Sequence, residues 1–119
     1  MLRYLLDEHI HHAYRLQLLR VDESLAVRKV GEPDAPPLGT LDPDLLIWCE
    51  ENGFVLVTNN RKSMPRHITE HLANGRHIPG IFVINLERSI SENSEALYLV
   101  AATSTSDEYR DRITYIPFW

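Results

Sequence analysis

The sequence predicts a single α/β domain spanning residues 1–119, a three-layer α/β/α arrangement with a mainly parallel sheet. Three observations predict it. Short apolar runs alternate along the chain with segments of helical periodicity. Two of those runs, "FVLVTN" and "GIFVIN", are continuously apolar, as strands buried on both faces are. The chain has 119 residues, a length that suits one hydrophobic core.

The elements follow in order. "RYLLD", Arg3 to Asp7, is a short apolar run ending in an acid and reads as a first strand. "HIHHAYRLQLLR" carries Ile10, Ala13, Tyr14, Leu16, Leu18 and Leu19 mostly at helical spacing. "LAVRKVG" alternates and stops at Gly31, giving a second strand. "EPDAPPLGT", with three prolines and a glycine, is a loop. "LDPDLLIWCEENG" is the clearest helix. Asp42 is placed to cap it, Pro43 suits its first position, Asp44 sits near the positive end of its dipole, and Gly53 stops it. "FVLVTN" is the next strand. "SMPRHITEHLANG" is a helix with Ser63 as cap and Gly75 at its end. "GIFVIN" is a strand, and "SENSEALYLVAATS" a helix capped by Ser91 or Ser94. "RITYIPFW" is a last strand or an extended apolar tail. There are no internal repeats.

Composition sets the outer limits. A hydrophobic fraction of 44% and a charged fraction of 24% are ordinary for a soluble globular chain. No run is long enough to cross a bilayer, and "MLRYLLDEHIHH" reaches charge too early for a signal peptide. Cys49 is the one cysteine, so no internal disulfide forms, which suits a cytoplasmic setting. The formal net charge of −5 argues against a broad nucleic-acid-binding surface but leaves room for a local basic patch.

In parallel sheets ligands collect at the carboxyl ends of the strands, near the point where strand order reverses. Those ends here carry Asp7-Glu8, Gly31-Glu32, Asn59-Asn60 and Asn85-Glu87, and the following loop adds Asp42 and Asp44. Acids and amides from separated parts of the chain are therefore expected at one edge. Carboxylates held close call for a counter-charge, and hard oxygen ligands suit Mg²⁺ or Mn²⁺. Such a site can orient water for an in-line phosphoryl displacement. Each acid also has a structural reading, as a helix-start or capping residue.

At these residues the chain resembles a known family. "YLLDEHI", "LDPDLLIWCEENGFVLVTNNR" and "GIFVIN" are similar to the small PIN-like proteins grouped as DUF5615, related to the Mut7-C and VapC-type toxin nucleases. The resemblance covers roughly Arg3 to Asn85. It implies a parallel sheet flanked by helices and an acidic site that holds Mg²⁺ or Mn²⁺ for RNA cleavage. It places the first acid on Asp7 and the helix-start acid on Asp42, with Asp44 close by. It places Asn60 where the related pattern "T-x-D-R" has an acid. It also implies a homodimer and, for a toxin, an antitoxin protein as partner.

"TNNR" departs from that pattern. An amide oxygen can meet a hard cation but brings no charge and no general base, so Asn60 weakens the expected metal set of Asp7, Asp42, Asp44 and Asn60. Both amides also read as turn and cap residues. Arg61, Lys62 and Arg66 then form a basic segment beside a helix start, suited to an RNA phosphate or simply to solvent. "HITEH" has the H-x-x-E-H spacing of some zinc peptidases. No third ligand follows on a helix, and the competing reading is an exposed amphipathic face. Cys49 reads as core and Trp48 as half-buried. "ITYIPFW" is too apolar to stay in water; it completes the sheet or packs on a second subunit. Two function classes follow. One is a Mg²⁺- or Mn²⁺-dependent ribonuclease with a weakened acidic site, with catalytic residues Asp7, Asp42 and Asn60, acting as the toxin of a toxin–antitoxin pair. The other is a non-catalytic PIN-like binding or regulatory module.

Overall fold

The computed structural model describes residues 1–117. Five strands form one sheet: β1 (Tyr4–Leu6), β2 (Val27–Lys29), β3 (Val55–Thr58), β4 (Ile81–Ile84) and β5 (Ile113–Ile116). Between them run α1 (Ala13–Val21), α2 (Asp42–Asn52), α3 (Met64–Ala73) and α4 (Ile90–Thr103). The spatial order is β2-β1-β3-β4-β5, and every neighbouring pair is parallel. The three-layer α/β/α arrangement read from the sequence is therefore the observed one, with a sheet that is wholly parallel.

The register sorts the core into two halves. Tyr4 pairs with Val27 and Val55, and Val57 pairs with Phe82, so these side chains share one face of the sheet. That face is covered by Tyr14 and Leu18 of α1 and by Ala96, Leu97, Val100 and Ala101 of α4. Leu5, Leu56, Ile81 and Val83 point the other way, onto Leu45, Leu46 and Cys49 of α2 and Met64 and Ile68 of α3. Both faces are buried, which is why β3 and β4 have no polar alternation.

The path of the chain explains which face each helix takes. From β1 to β2 the chain steps one way; from β2 to β3, β3 to β4 and β4 to β5 it steps the other. Crossovers of one hand put α1 on one face and α2 and α3 on the opposite face. By the same rule α4 would join α2 and α3, yet it packs beside α1. The β4–α4–β5 connection thus has the opposite hand from the other three, an uncommon choice in parallel sheets. Its physical gain is coverage, because α1 alone would leave Val57, Phe82 and Ile84 without a helix over them.

Several helix ends differ from expectation. α2 begins at Asp42 itself, with Leu41 in the capping position and Pro43 inside the first turn. The Asp42 carboxylate makes no capping bond to its own helix. α4 is capped by Ser89, not by Ser91 or Ser94. Ser89 and Glu92 form a reciprocal capping box, whose S-x-x-E signature begins two residues before the expected start at Ser91. α1 starts only at Ala13, because His9 to His12 form the turn that precedes it. The C-terminal segment completes the sheet as β5; Phe118 and Trp119 lie outside the described residues. No helix among the described residues is long and apolar enough to cross a membrane.

Candidate functional site

The step order reverses between β1 and β3, so their carboxyl ends frame the switch point where ligands of such sheets bind. A cleft of about 660 Å³ opens there. It is lined by Asp7, Glu8 and His9 after β1, by Asn59, Asn60, Arg61 and Lys62 after β3, and by Gly39 to Asp42 before and at the start of α2. Five of the residues picked from sequence for metal or RNA contact therefore meet at one place: Asp7, Asp42, Asn60, Arg61 and Lys62. Asp44 and Arg66 do not join them. Asp44 is exposed in the first turn of α2, and Arg66 is exposed on α3 with Glu70 at 3.9 Å.

Asp7 is the deepest member, 6% exposed. Its N–H donates to Val57 O at 2.9 Å, which extends the β1–β3 ladder and fixes the residue at the strand end. Thr58 Oγ1 donates to Asp7 Oδ2 at 2.9 Å. Thr58 is fully buried, and its hydroxyl oxygen also accepts the Asn60 N–H at 3.1 Å. Donors of this kind offset the hydration that a buried carboxylate loses. Thr58 thus links Asp7 to the turn after β3.

Asn60 continues the chain of contacts. Its Nδ2 donates to Asp42 Oδ2 at 2.9 Å and to Ser63 Oγ at 2.7 Å. Its Oδ1 accepts the Ser63 N–H at 3.2 Å, ahead of α3. Because Ser63 N–H requires an acceptor, the amide is held with its nitrogen toward Asp42. His67 of α3 approaches the same carboxylate, with Nε2 3.6 Å from Asp42 Oδ2. His67 Nδ1 is buried and lacks a partner among the described residues.

The proline-rich loop is tied to the site by Glu8 and Lys29. Glu8 Oε1 accepts the Gly39 N–H at 3.0 Å, and Lys29 Nζ donates to the Glu8 carbonyl at 2.9 Å. Arg61 lies over the Tyr115 ring with its guanidinium carbon 5.2 Å from the centroid, which leaves its planar fork at the cleft rim.

These contacts test the expected metal set. An ion shared by Asp7, Asp42 and Asn60 would take the amide through its oxygen. That oxygen faces Ser63 N–H, and the nitrogen faces the carboxylate instead. Among the described residues no group of three His, Cys, Asp or Glu side chains is arranged to hold an ion. In this arrangement Asn60 serves the Asp42 carboxylate as a neutral hydrogen-bond donor and turns its oxygen to the Ser63 N–H.

Sequence reasoning missed Thr58, Lys29 and the role of His67. Thr58 could have been flagged as the one hydroxyl at the end of an otherwise apolar strand. The two histidines of "HITEH" both face α2 and not solvent. His67 meets Asp42, while His71 is 6% exposed with Nε2 3.2 Å from Glu50 Oε1 and 2.8 Å from the His77 carbonyl. They belong to the α2–α3 interface, which corrects the reading of an exposed face.

Comparison of the chain with protein-family models, curated proteins and solved structures finds no match.

Proposed function

We propose that the chain is a PIN-like module that binds RNA in the switch-point cleft without hydrolysing it. The observation that carries this reading is the Asn60 amide, which satisfies Asp42 as a donor in the place where a nuclease of this type needs a charged oxygen ligand. Arg61 and Lys62 at the cleft rim supply cations for the phosphate backbone, beside the start of α3. The acids of the cleft are meanwhile held by Thr58, Gly39, Asn60 and His67, which lessens their repulsion of a phosphate.

A second reading is a weakened Mg²⁺- or Mn²⁺-dependent ribonuclease, acting in the cytoplasm as a toxin restrained by an antitoxin protein and working as a homodimer. Asp7 and Asp42 lining one cleft favours it. Anisotropy of a labelled mixed-sequence RNA, with EDTA and with Mn²⁺, separates the two. The binding module holds RNA equally in both conditions and leaves it intact. Arg61→Ala with Lys62→Ala weakens that binding and flattens its salt dependence. Robust Mn²⁺-dependent cleavage abolished by Asp7→Asn would replace the first reading with the second.

A further inference from the structure

A second cavity, of about 220 Å³, lies at the same carboxyl edge but on the α1–α4 side of the sheet. It shares His9 and Asn59 with the larger cleft, so the two openings adjoin. Its apolar walls are Ile10, Ile84, Leu86 and Ile90, with His11 and Arg88 as charged or polar members of the lining, and Leu86 is 69% exposed at the rim.

Tyr14 is the most buried of the polar residues in the lining. It is 4% exposed and lines the cavity. Asn93 Nδ2 donates to its hydroxyl at 3.0 Å and also to the Asn85 carbonyl at 2.9 Å, which fixes the amide's orientation. Tyr14 Oη is therefore an acceptor toward Asn93, and its own proton has no acceptor among the described residues. Burial pushes the Tyr14 pKa up, with the Asn93 contact opposing, so the hydroxyl keeps its proton to donate. A buried hydroxyl whose proton has no acceptor is uncommon in native proteins, and this one belongs to a residue that lines the cavity. Across the opening, the half-buried Asn59 side chain makes no hydrogen bond to the described residues and offers both a donor and an acceptor.

A flat heterocycle meets these requirements, with apolar faces for the leucine and isoleucines and acceptors on its edge for the hydroxyl and amide. The volume lies below the roughly 300–1,000 Å³ of pockets that enclose a whole drug-sized ligand, and suits one ring system. RNA bases that are not paired are read in this way, by stacking and by edge hydrogen bonds. We infer that this cavity is a subsite for a single unpaired nucleobase, entered past His9 and Asn59 by the strand whose phosphates lie in the adjoining cleft. The inference rests on the RNA-binding reading above for the strand, and on the cavity alone for the base.

Two measurements keep those parts separate. The first titrates the four free nucleosides, which carry no phosphate, into ¹⁵N-labelled protein. Shifts are expected at the Asn59 side chain and at Ile84 and Leu86, with one nucleoside favoured. The shifts should disappear in Leu86→Asp, a change at an exposed position that leaves the fold intact. The second compares short homopolymer RNAs by anisotropy. The parent should prefer one base about fivefold, the scale of one hydrogen bond. Tyr14→Phe and Asn59→Ala should reduce that preference to within about twofold while leaving the salt dependence unchanged. RNA binding without base preference, together with silent nucleoside titrations, overturns the subsite and leaves the RNA-binding reading standing. Nucleosides bound at the cavity by a protein that ignores RNA keep the subsite and overturn the strand. Silence in both experiments removes both.

Discussion

Asn60 Nδ2 stands 2.9 Å from Asp42 Oδ2, while Oδ1 of the same amide accepts the Ser63 N–H at 3.2 Å. One neutral side chain thereby joins the first turn of α2 to the start of α3 and supplies a donor to a half-buried carboxylate. Together with Thr58 it makes an unbroken line of contacts from Asp7 to Asp42 across the switch point.

Replacing Asn60 by aspartate should expose what the amide does. Asn60→Asp removes two donated hydrogen bonds and sets a second negative charge against Asp42. A loss of about 1–3 kcal/mol of stability is expected without divalent ions, by analogy with other unsatisfied charged groups. Mn²⁺ should restore part of it, because the ion binds the folded variant and not the unfolded chain. Thermal melts of parent and variant with EDTA and with Mn²⁺ give the answer. A variant as stable as the parent in EDTA would mean that the Asn60–Asp42 contact contributes little.

Thr58 carries a comparable role toward Asp7. Thr58→Val keeps the volume and removes the hydroxyl, leaving the Asp7 carboxylate and the Asn60 N–H without their partner. Denaturant unfolding should show a loss of about 1–3 kcal/mol. Thr58→Ser, which keeps the hydroxyl, should lose less. Equal losses for the two variants would assign the effect to packing of the Thr58 methyl.

The fold was legible because the two buried strands and the glycine and proline punctuation agree at every level. "FVLVTN" and "GIFVIN" read as doubly buried strands for the reason that both of their faces meet helices. The convergence of Asp7, Asp42 and Asn60 was also legible, since parallel strands bring their carboxyl ends to one edge. The orientation of the Asn60 amide was not. It depends on the Ser63 N–H, a backbone donor whose position only the three-dimensional turn defines. The face taken by α4 was equally hidden, because a helix pattern states which stripe is apolar and not which side of the sheet will receive it.

The opposite, amino edge of the sheet provides a pH test independent of the cleft. Glu50 accepts the His77 N–H at 3.0 Å and an Arg76 N–H at 2.9 Å. The His77 backbone bond leads the causes that lower the Glu50 pKa below its ordinary 4.5, and burial opposes it. At Asp111 burial alone would raise the pKa, but the His77 ring, the Ile78 N–H and Arg110 together bring it below 3.8. A lowered carboxylate pKa means that the folded state favours the charged form. Its stabilisation is full above the ordinary carboxylate range and is lost as pH falls through the folded-state values. Glu50→Gln and Asp111→Asn should therefore melt below the parent near neutrality, and the gap should narrow as the pH falls below the ordinary carboxylate range. Asparagine is a suitable replacement at Asp111, whose φ of 62° lies in the left-handed region that asparagine tolerates. Melting curves across this range decide the matter. A gap that stays constant into acid would show that shape, and not charge, makes these two residues stabilising.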